Sequence, residues 1–404
     1  MKRRNFAKNT LTGMLGLGLV SEAELYGAST SPLVDHVIYL YMDGGMTHLD
    51  TFDPKENTDV AGQTKIIETD VPGLRLGHNL PKIASHADKM ATINSLNSQT
   101  GAHRQGQYLM RTSYTERATI VHPTLGAWAA LYDDDKTTLP SYVSVSKPSR
   151  HPGSGWMKAK YSPVDIIDPN KGLLYSDLKP EDKRMSLLDE MNRKFKPNSS
   201  AVKDYQDFYD EAFRLVQSQD LEVFDLSKED KAIRDSYGDN KFGQGCLLAR
   251  RLVESGVKFI EVTHGGWDTH VNNFDAMDTK LPVVDNAVGT LISDLESRGL
   301  MDRTLIVFAT EFGRTPKINQ NVGRDHYPRA FSGAMIGGAI NPQAYGKTDE
   351  TGENVIENAV TVANYNATIA YALGLPLDKV VYSPTERPFY PAGRDAEPIT
   401  SLFR

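Results

Sequence analysis

A single cysteine among 404 residues excludes an intramolecular disulfide. That residue, Cys246, sits in 243-GQGCLLARRLVESG-256, where Leu247, Leu248, Leu252 and Val253 form a helical apolar stripe, so its thiol is expected in the core. No apolar run reaches the ~20 residues of an ordinary transmembrane helix; the N-terminal stretch from Leu11 to Val20 is too short to span. An excess of one charge sign is lacking as well. The 45 basic and 52 acidic residues leave a net charge of −7 with no long single-sign run, which argues against a nucleic-acid or polybasic membrane partner. The chain also lacks internal repeats and low-complexity tracts.

What remains is an ordinary globular composition, 39% hydrophobic and 24% charged, long enough for one large core. The first residues, 1-MKRRNFAKNTLTGMLGLGLV-20, place basic residues ahead of a short glycine-rich apolar run, a targeting layout. Arg3-Arg4-Asn5-Phe6-Ala7-Lys8 resembles the twin-arginine export signal. Residues 1–28 are therefore expected to be such a signal, with the protein periplasmic or secreted, and residues 29–404 to form one α/β domain.

Three β-rich runs have the same form: 34-VDHVIYLYM-42, 257-VKFIEVT-263 and 304-TLIVFAT-310. Between the last two, 281–300 carries apolar residues at Val284, Val288, Leu291, Ile292 and Leu295, a helical period ending near Gly299. Strand, helix, strand at this spacing predicts a parallel sheet, whose ligand sites form beyond the carboxyl ends of the strands. A further strand over 333–340, a late helix over 364–374 and a charged helical insertion around 175–240 complete the expected architecture.

A polar cluster follows each of the three strands. The first, 43-DGGMTHLDTFD-53, holds Asp43, Thr47, His48 and Asp50; Gly44-Gly45 permits a tight turn. Thr47 then has the placement of a nucleophile, or of a helix N-cap. The second, 264-HGGWDTHVNNFD-275, sets Asp268 and His270 one residue apart, able to reach one centre. Carboxylates suit zinc, manganese or calcium, and imidazole shifts the preference toward zinc or manganese. The third, 311-EFGRTPKINQNVGRDH-326, combines Glu311 with Arg314, Arg324 and His326, joining metal-type ligands to cations that suit a tetrahedral oxyanion. Outside these, His103 in 101-GAHRQGQYLMRTSY-114 is a further pocket candidate, and Trp156 and Trp267 offer faces for stacking on a sugar.

The segments 44-GGMTHLDTFDPK-55, 242-FGQGCLLARRLVESGVKFIEV-262, 265-GGWDTHVNNF-274, 311-EFGRTPKIN-319 and 323-GRDHYPRAFS-332 closely resemble the domain-of-unknown-function family 1501, a group that looks related to the alkaline phosphatase and sulfatase superfamily. The resemblance implies a largely parallel sheet flanked by helices on both faces, and a hydrolase of phosphate or sulfate esters that uses a divalent ion. By position it implies Asp268, His270 and His326 as ligands of one metal, Glu311 and Asp43 or Asp50 as further ligands, and Thr47 as nucleophile. Arg314, Arg324 and His103 would serve the reaction, on a small-molecule or carbohydrate ester. Two departures stand out. Glu311-Phe312-Gly313 replaces an Asp-His-Gly motif, so an imidazole is missing, and Met46-Thr47 replaces Pro-Ser. Without a Cys-x-Pro-x-Arg or Ser-x-Pro-x-Arg motif, the formylglycine of ordinary sulfatases cannot form. A binding protein that keeps the fold without catalysis is the alternative.

Overall fold

Strand β1, His36–Asp43, alternates Val37, Tyr39 and Tyr41 on one face with Ile38, Leu40 and Met42 on the other, and all six are buried. A strand apolar on both faces belongs in the middle of a sheet covered on both sides, and that is its place in the computed structural model, which describes residues 31–56, 58–133, 137–146, 150–173, 187, 190, 215 and 218–404. The remaining strands of this sheet are β2 (Met90–Asn97), β3 (Tyr142–Val145), β4 (Val164–Ile166), β5 (Phe259–Gly265), β6 (Thr304–Ala309), β7 (Phe331–Ile336), β8 (Gln343–Tyr345) and β9 (Val360–Thr361). Their order is β8-β2-β7-β6-β1-β5-β3-β4, with β9 also paired to β2.

Parallel pairing joins β6, β1, β5, β3 and β4, while β7 runs antiparallel to both β6 and β2. The expected sheet is therefore present and largely parallel, and the strand expected over 333–340 is the antiparallel member. Helices cover both faces. On one side α3 (Lys241–Glu254) and α4 (Asn273–Ser297) pack Leu247, Leu252, Val284, Val288 and Leu291 against Ile38, Leu40 and Met42. On the other, α2 (Leu125–Leu131) and α5 (Val362–Ala372) pack Trp128, Tyr365 and Ile369 against Val37, Tyr39 and Tyr41. Helix α1, His103–Thr112, joins this second side through Met110, with His103 near the strand ends.

Two expectations change. Helix α4 starts well before Leu281 and carries Pro282 inside it, because Asn272 turns the chain in a left-handed conformation and the helix begins directly after it. No helix starts at Thr47: the Gly44-Gly45 turn leads into irregular turns, and the next helix is the short Thr58–Ala61, so Thr47 caps nothing. The helical insertion around 175–240 lies largely outside the described residues; its described end holds the short turns Gln219–Phe224 and Leu226–Lys228 and the helix Lys231–Ser236. The proposed signal, residues 1–28, also lies outside the described residues. Among the described residues, no helix is long and apolar enough to cross a membrane. Cys246 is buried, as its stripe predicts.

Register places the three polar clusters at one edge. Asp43 at the end of β1 stands opposite Gly265 at the end of β5, and Tyr41 stands opposite Ala309 at the end of β6.

Candidate metal centre

The loop after β1 lies directly on the loop after β5. Gly44 adopts φ +125°, and a Cβ there would stand 2.6 Å from the Asp268 backbone nitrogen, so a side chain at this position would displace Asp268. The loop after β6 returns on itself: Gly313–Arg314 pairs antiparallel with His326–Tyr327, which brings His326 back beside Arg314. Helix α1 adds His103 from the side.

Four side chains converge where these segments meet. Asp268 Oδ1 lies 3.1 Å from His270 Nε2 and 3.2 Å from His326 Nε2, and the two Nε2 atoms are 3.0 Å apart. Asp268 Oδ2 lies 3.2 Å from His103 Nε2, which is buried and makes no hydrogen bond. The Nδ1 atoms explain the arrangement. His103 Nδ1 is 2.7 Å from Glu311 Oε1, His270 Nδ1 is 2.7 Å from Asp325 Oδ1, and His326 Nδ1 is 2.7 Å from the Gly101 carbonyl oxygen. Each of those partners only accepts, so each Nδ1 donates. In the neutral rings every Nε2 is then a lone pair. Three lone pairs around one carboxylate repel unless a cation stands among them, so these donors fit a metal ion on the geometry alone.

The electrostatics agree. Burial pushes the Asp268 carboxyl up, but the hydrogen bond and charge of the Arg314 guanidinium, with the His326 contact and the charge of His103 when it is protonated, outweigh it and hold it at about 2. The hydrogen bond to Glu311 raises His103 against the effect of burial, with Asp268 adding to the rise; carboxylates that favour a proton there would also favour a cation. Burial lowers His326, keeping it neutral and able to ligate. Phe312 walls this group, with its ring centroid 5.0 Å from that of His103 and 4.6 Å from that of His326.

The other expected site residues have other partners. Arg314 is fully buried: Nε donates to the Gly45 carbonyl at 2.9 Å, Nη1 to that of Arg324 at 3.1 Å, and Nη2 to that of Gly44 and to Asp268 at 2.6 Å. It anchors the Gly44-Gly45 turn and Asp268 instead of standing free for an oxyanion. Arg324 and Asp50 pair with each other at 3.1 Å, with side chains 0% and 1% exposed, and their other hydrogen bonds go to Thr315, Pro316, Val60, Asn273 and Thr64, so the expected anion-binding and ligand roles do not fit them. Glu311 has both oxygens occupied: Oε1 by His103 and the Gly44 N–H, Oε2 by the Tyr41 hydroxyl at 3.1 Å. Asp43 accepts from Gln107 at 2.6 Å, and burial, with Glu311 nearby, raises its pKa. Thr47 is wholly enclosed and its hydroxyl has no hydrogen-bond partner, hence no base to take its proton. Trp267 is buried and donates to the His264 carbonyl, so it presents no sugar platform, while the half-buried Trp156 packs edge-on against Trp128 and tilted against Phe389.

The sequence shows the Asp325 carboxylate beside Arg324 and His326 but neither its hold on His270 nor that of the Gly101 carbonyl on His326. It also leaves His103 isolated, although its position at the head of α1 is signalled by the fourfold spacing of His103, Gln107 and Arg111.

Residues 34–403 match the family model described as "Protein of unknown function (DUF1501)", and the chain belongs to that family. No curated protein matches it. Among solved structures it is similar to a protein in the alkaline phosphatase superfamily from Vibrio parahaemolyticus, at 11% identity over 86% of this chain and 68% of that one, with a TM-score of 0.41. It is also similar to the lipoteichoic acid synthase LtaP from Listeria monocytogenes (9% identity, 89% and 78% covered, TM-score 0.38). A third is the sulfatase PsFucS1 from Pseudoalteromonas sp. (14% identity, 85% and 68% covered, TM-score 0.37).

Proposed function

We propose that this DUF1501 protein is an exported, metal-dependent hydrolase of phosphate or sulfate esters, with the ion held by His103, Asp268, His270 and His326. The observation that carries the reading is the approach of three imidazole Nε2 atoms to one carboxylate, each ring locked by an acceptor on Nδ1. Three nitrogens and one carboxylate oxygen favour zinc or manganese over calcium. When bound, such an ion would supply Lewis-acid polarisation of an ester oxygen and lower the pKa of a water. The chain's own residues do the rest. Arg314 and the Gly44-Gly45 turn fix Asp268, Asp325 and Gly101 fix two imidazoles, and Phe312 excludes water from one side. With Thr47 enclosed and unpartnered, water is the attacking group in this reading. Export by the twin-arginine route is part of the same proposal, resting on Arg3-Arg4-Asn5-Phe6-Ala7-Lys8.

The commitment of both arginines to internal partners favours a second reading, a binding protein that keeps an ion without turning over an ester. Activity on an aryl phosphate and an aryl sulfate, measured after stripping with chelator and after adding back zinc, manganese or calcium, decides between them. Metal-dependent turnover of either ester supports the hydrolase. A tightly held ion with no turnover supports the binding protein.

A further inference from the structure

Helix α1 presents three polar residues at intervals of four, which places them on one stripe of the helix. Each meets a carboxylate from a different strand or strand end. His103 Nδ1 bonds Glu311 after β6 at 2.7 Å, Gln107 Nε2 donates to Asp43 at the end of β1 at 2.6 Å, and Arg111 Nε donates to Glu261 within β5 at 2.9 Å. Between them stands Gly106, where a Cβ would lie 2.9 Å from the Glu311 Cβ and 3.1 Å from its carbonyl oxygen; the helix can come this close only with glycine.

Beneath the stripe the contacts continue through the core. The Arg111 guanidinium lies 3.6 Å over the Tyr41 ring, and the Tyr41 hydroxyl donates to Glu311 Oε2. Glu261 Oε2 receives the Tyr142 hydroxyl at 3.1 Å and lies 3.0 Å from His151 Nε2. Tyr41, Glu311, Glu261 and Arg111 are all at most 3% exposed. Charges buried to this depth are costly unless paired, and here the pairs Arg111–Glu261 and Glu311–His103 hold them, the series ending at His103 Nε2, which faces Asp268 Oδ2 at 3.2 Å. A cation over the Tyr41 ring makes its hydroxyl a stronger donor, and that hydroxyl in turn fixes the carboxylate that fixes the imidazole.

We propose that the α1 stripe with Tyr41 is a positioning device: Tyr41, Arg111 and Glu311 hold His103 in its Nδ1–H tautomer and aim Nε2 at Asp268. The inference rests on the cation-site reading for its purpose but not for its geometry. Tyr41 and Arg111 touch none of the proposed ligands except through Glu311, so they are positioning residues.

The test uses the full chain, metal-free, with Tyr41→Phe, Arg111→Lys as a second variant, and Thr279→Ala on the exposed face of α4 as a control. Imidazole nitrogen–proton correlation spectra of histidine-labelled protein report the His103 tautomer, and chelator competition reports the zinc affinity. Wild type and control should show one Nδ1–H tautomer at His103. Either variant should show mixed tautomers, and zinc affinity should fall about 10- to 100-fold, the usual effect of losing a partner behind a ligand. Should wild type bind no zinc while the tautomer still depends on Tyr41, the cation reading fails and the positioning device stands. If the His103 signature is unchanged in every variant that folds, the positioning device is refuted whatever the zinc affinity. Because Arg111→Lys keeps the charge, it serves if Tyr41→Phe does not fold.

Discussion

Replacing Arg324 with methionine separates two roles that the sequence allows for this residue, oxyanion clasp and structural ion. Its Nε donates to Asp50 Oδ2 at 3.1 Å, and its Nη atoms donate to the carbonyls of Val60 at 2.6 Å, Pro316 at 2.7 Å and Thr315 at 3.2 Å. Methionine keeps much of the stem volume against Phe274 but strands a carboxylate that is 2% exposed. Removing one partner of a buried pair costs ~3–5 kcal/mol. Asp50 would still accept from Asn273 at 2.8 Å and from Thr64, which places the loss toward the lower end, ~3 kcal/mol. Urea unfolding followed by circular dichroism measures it. Zinc affinity of the folded variant should change less than about tenfold, because no guanidinium atom meets a proposed ligand. Adding Asp50→Leu should restore part of the stability, since an apolar pair avoids the unpaired charge. Unchanged stability, together with loss of turnover in the single variant, would refute the structural assignment and return Arg324 to the reaction.

Thr47→Val removes a hydroxyl that bonds nothing, so stability should hold or rise slightly and turnover of a responsive ester should stay within about threefold, since no unpaired partner is left behind; a loss of several orders of magnitude in steady-state assays would make Thr47 the nucleophile. Gly44→Ala puts a Cβ 2.6 Å from the Asp268 nitrogen at a φ of +125°, so calorimetric titration should find weaker zinc binding and denaturation a loss of ~1–3 kcal/mol or more. Burial, with Arg117 nearby, lowers His122 to about 4. Its folded pKa lies below the unfolded value, so the unfolded state binds the extra proton and stability falls as pH drops from the ordinary imidazole range toward about 4. His122→Leu should flatten that slope by up to ~1.4 kcal/mol per pH unit; an unchanged slope in urea titrations at pH 7, 6 and 5 would show that His122 does not carry it.

The strands that frame the site were legible because they bury both faces: 34–42, 257–263 and 304–310 read as apolar runs, and each ends in its polar cluster. Asp268, His270 and His326 were legible for the same reason, since a parallel sheet carries strand-end residues to one edge. Their locking partners were not. Gly101 acts through a carbonyl that every residue has, and Asp325, the one acidic residue between Phe312 and Ala330, reads as an ion-pair partner of the arginines in its own loop. Arg314 and Arg324 misled because an arginine that caps backbone carbonyls and one that binds an oxyanion use the same donors; only burial tells them apart. The early start of α4 was hidden by Asn272 and Asn273, which read as loop formers, while in the fold the first turns the chain and the second opens the helix, donating to Asp50.

The central claim is that His103, Asp268, His270 and His326 hold one divalent ion. Protein purified without added metal, stripped with chelator and titrated with zinc and manganese by calorimetry, should take up one equivalent of one of them. The double variant Asp268→Ala/His326→Ala, folded by circular dichroism, should take up none at the same concentrations. Wild-type protein that binds neither ion, or a double variant that binds with wild-type stoichiometry and affinity, would contradict the account.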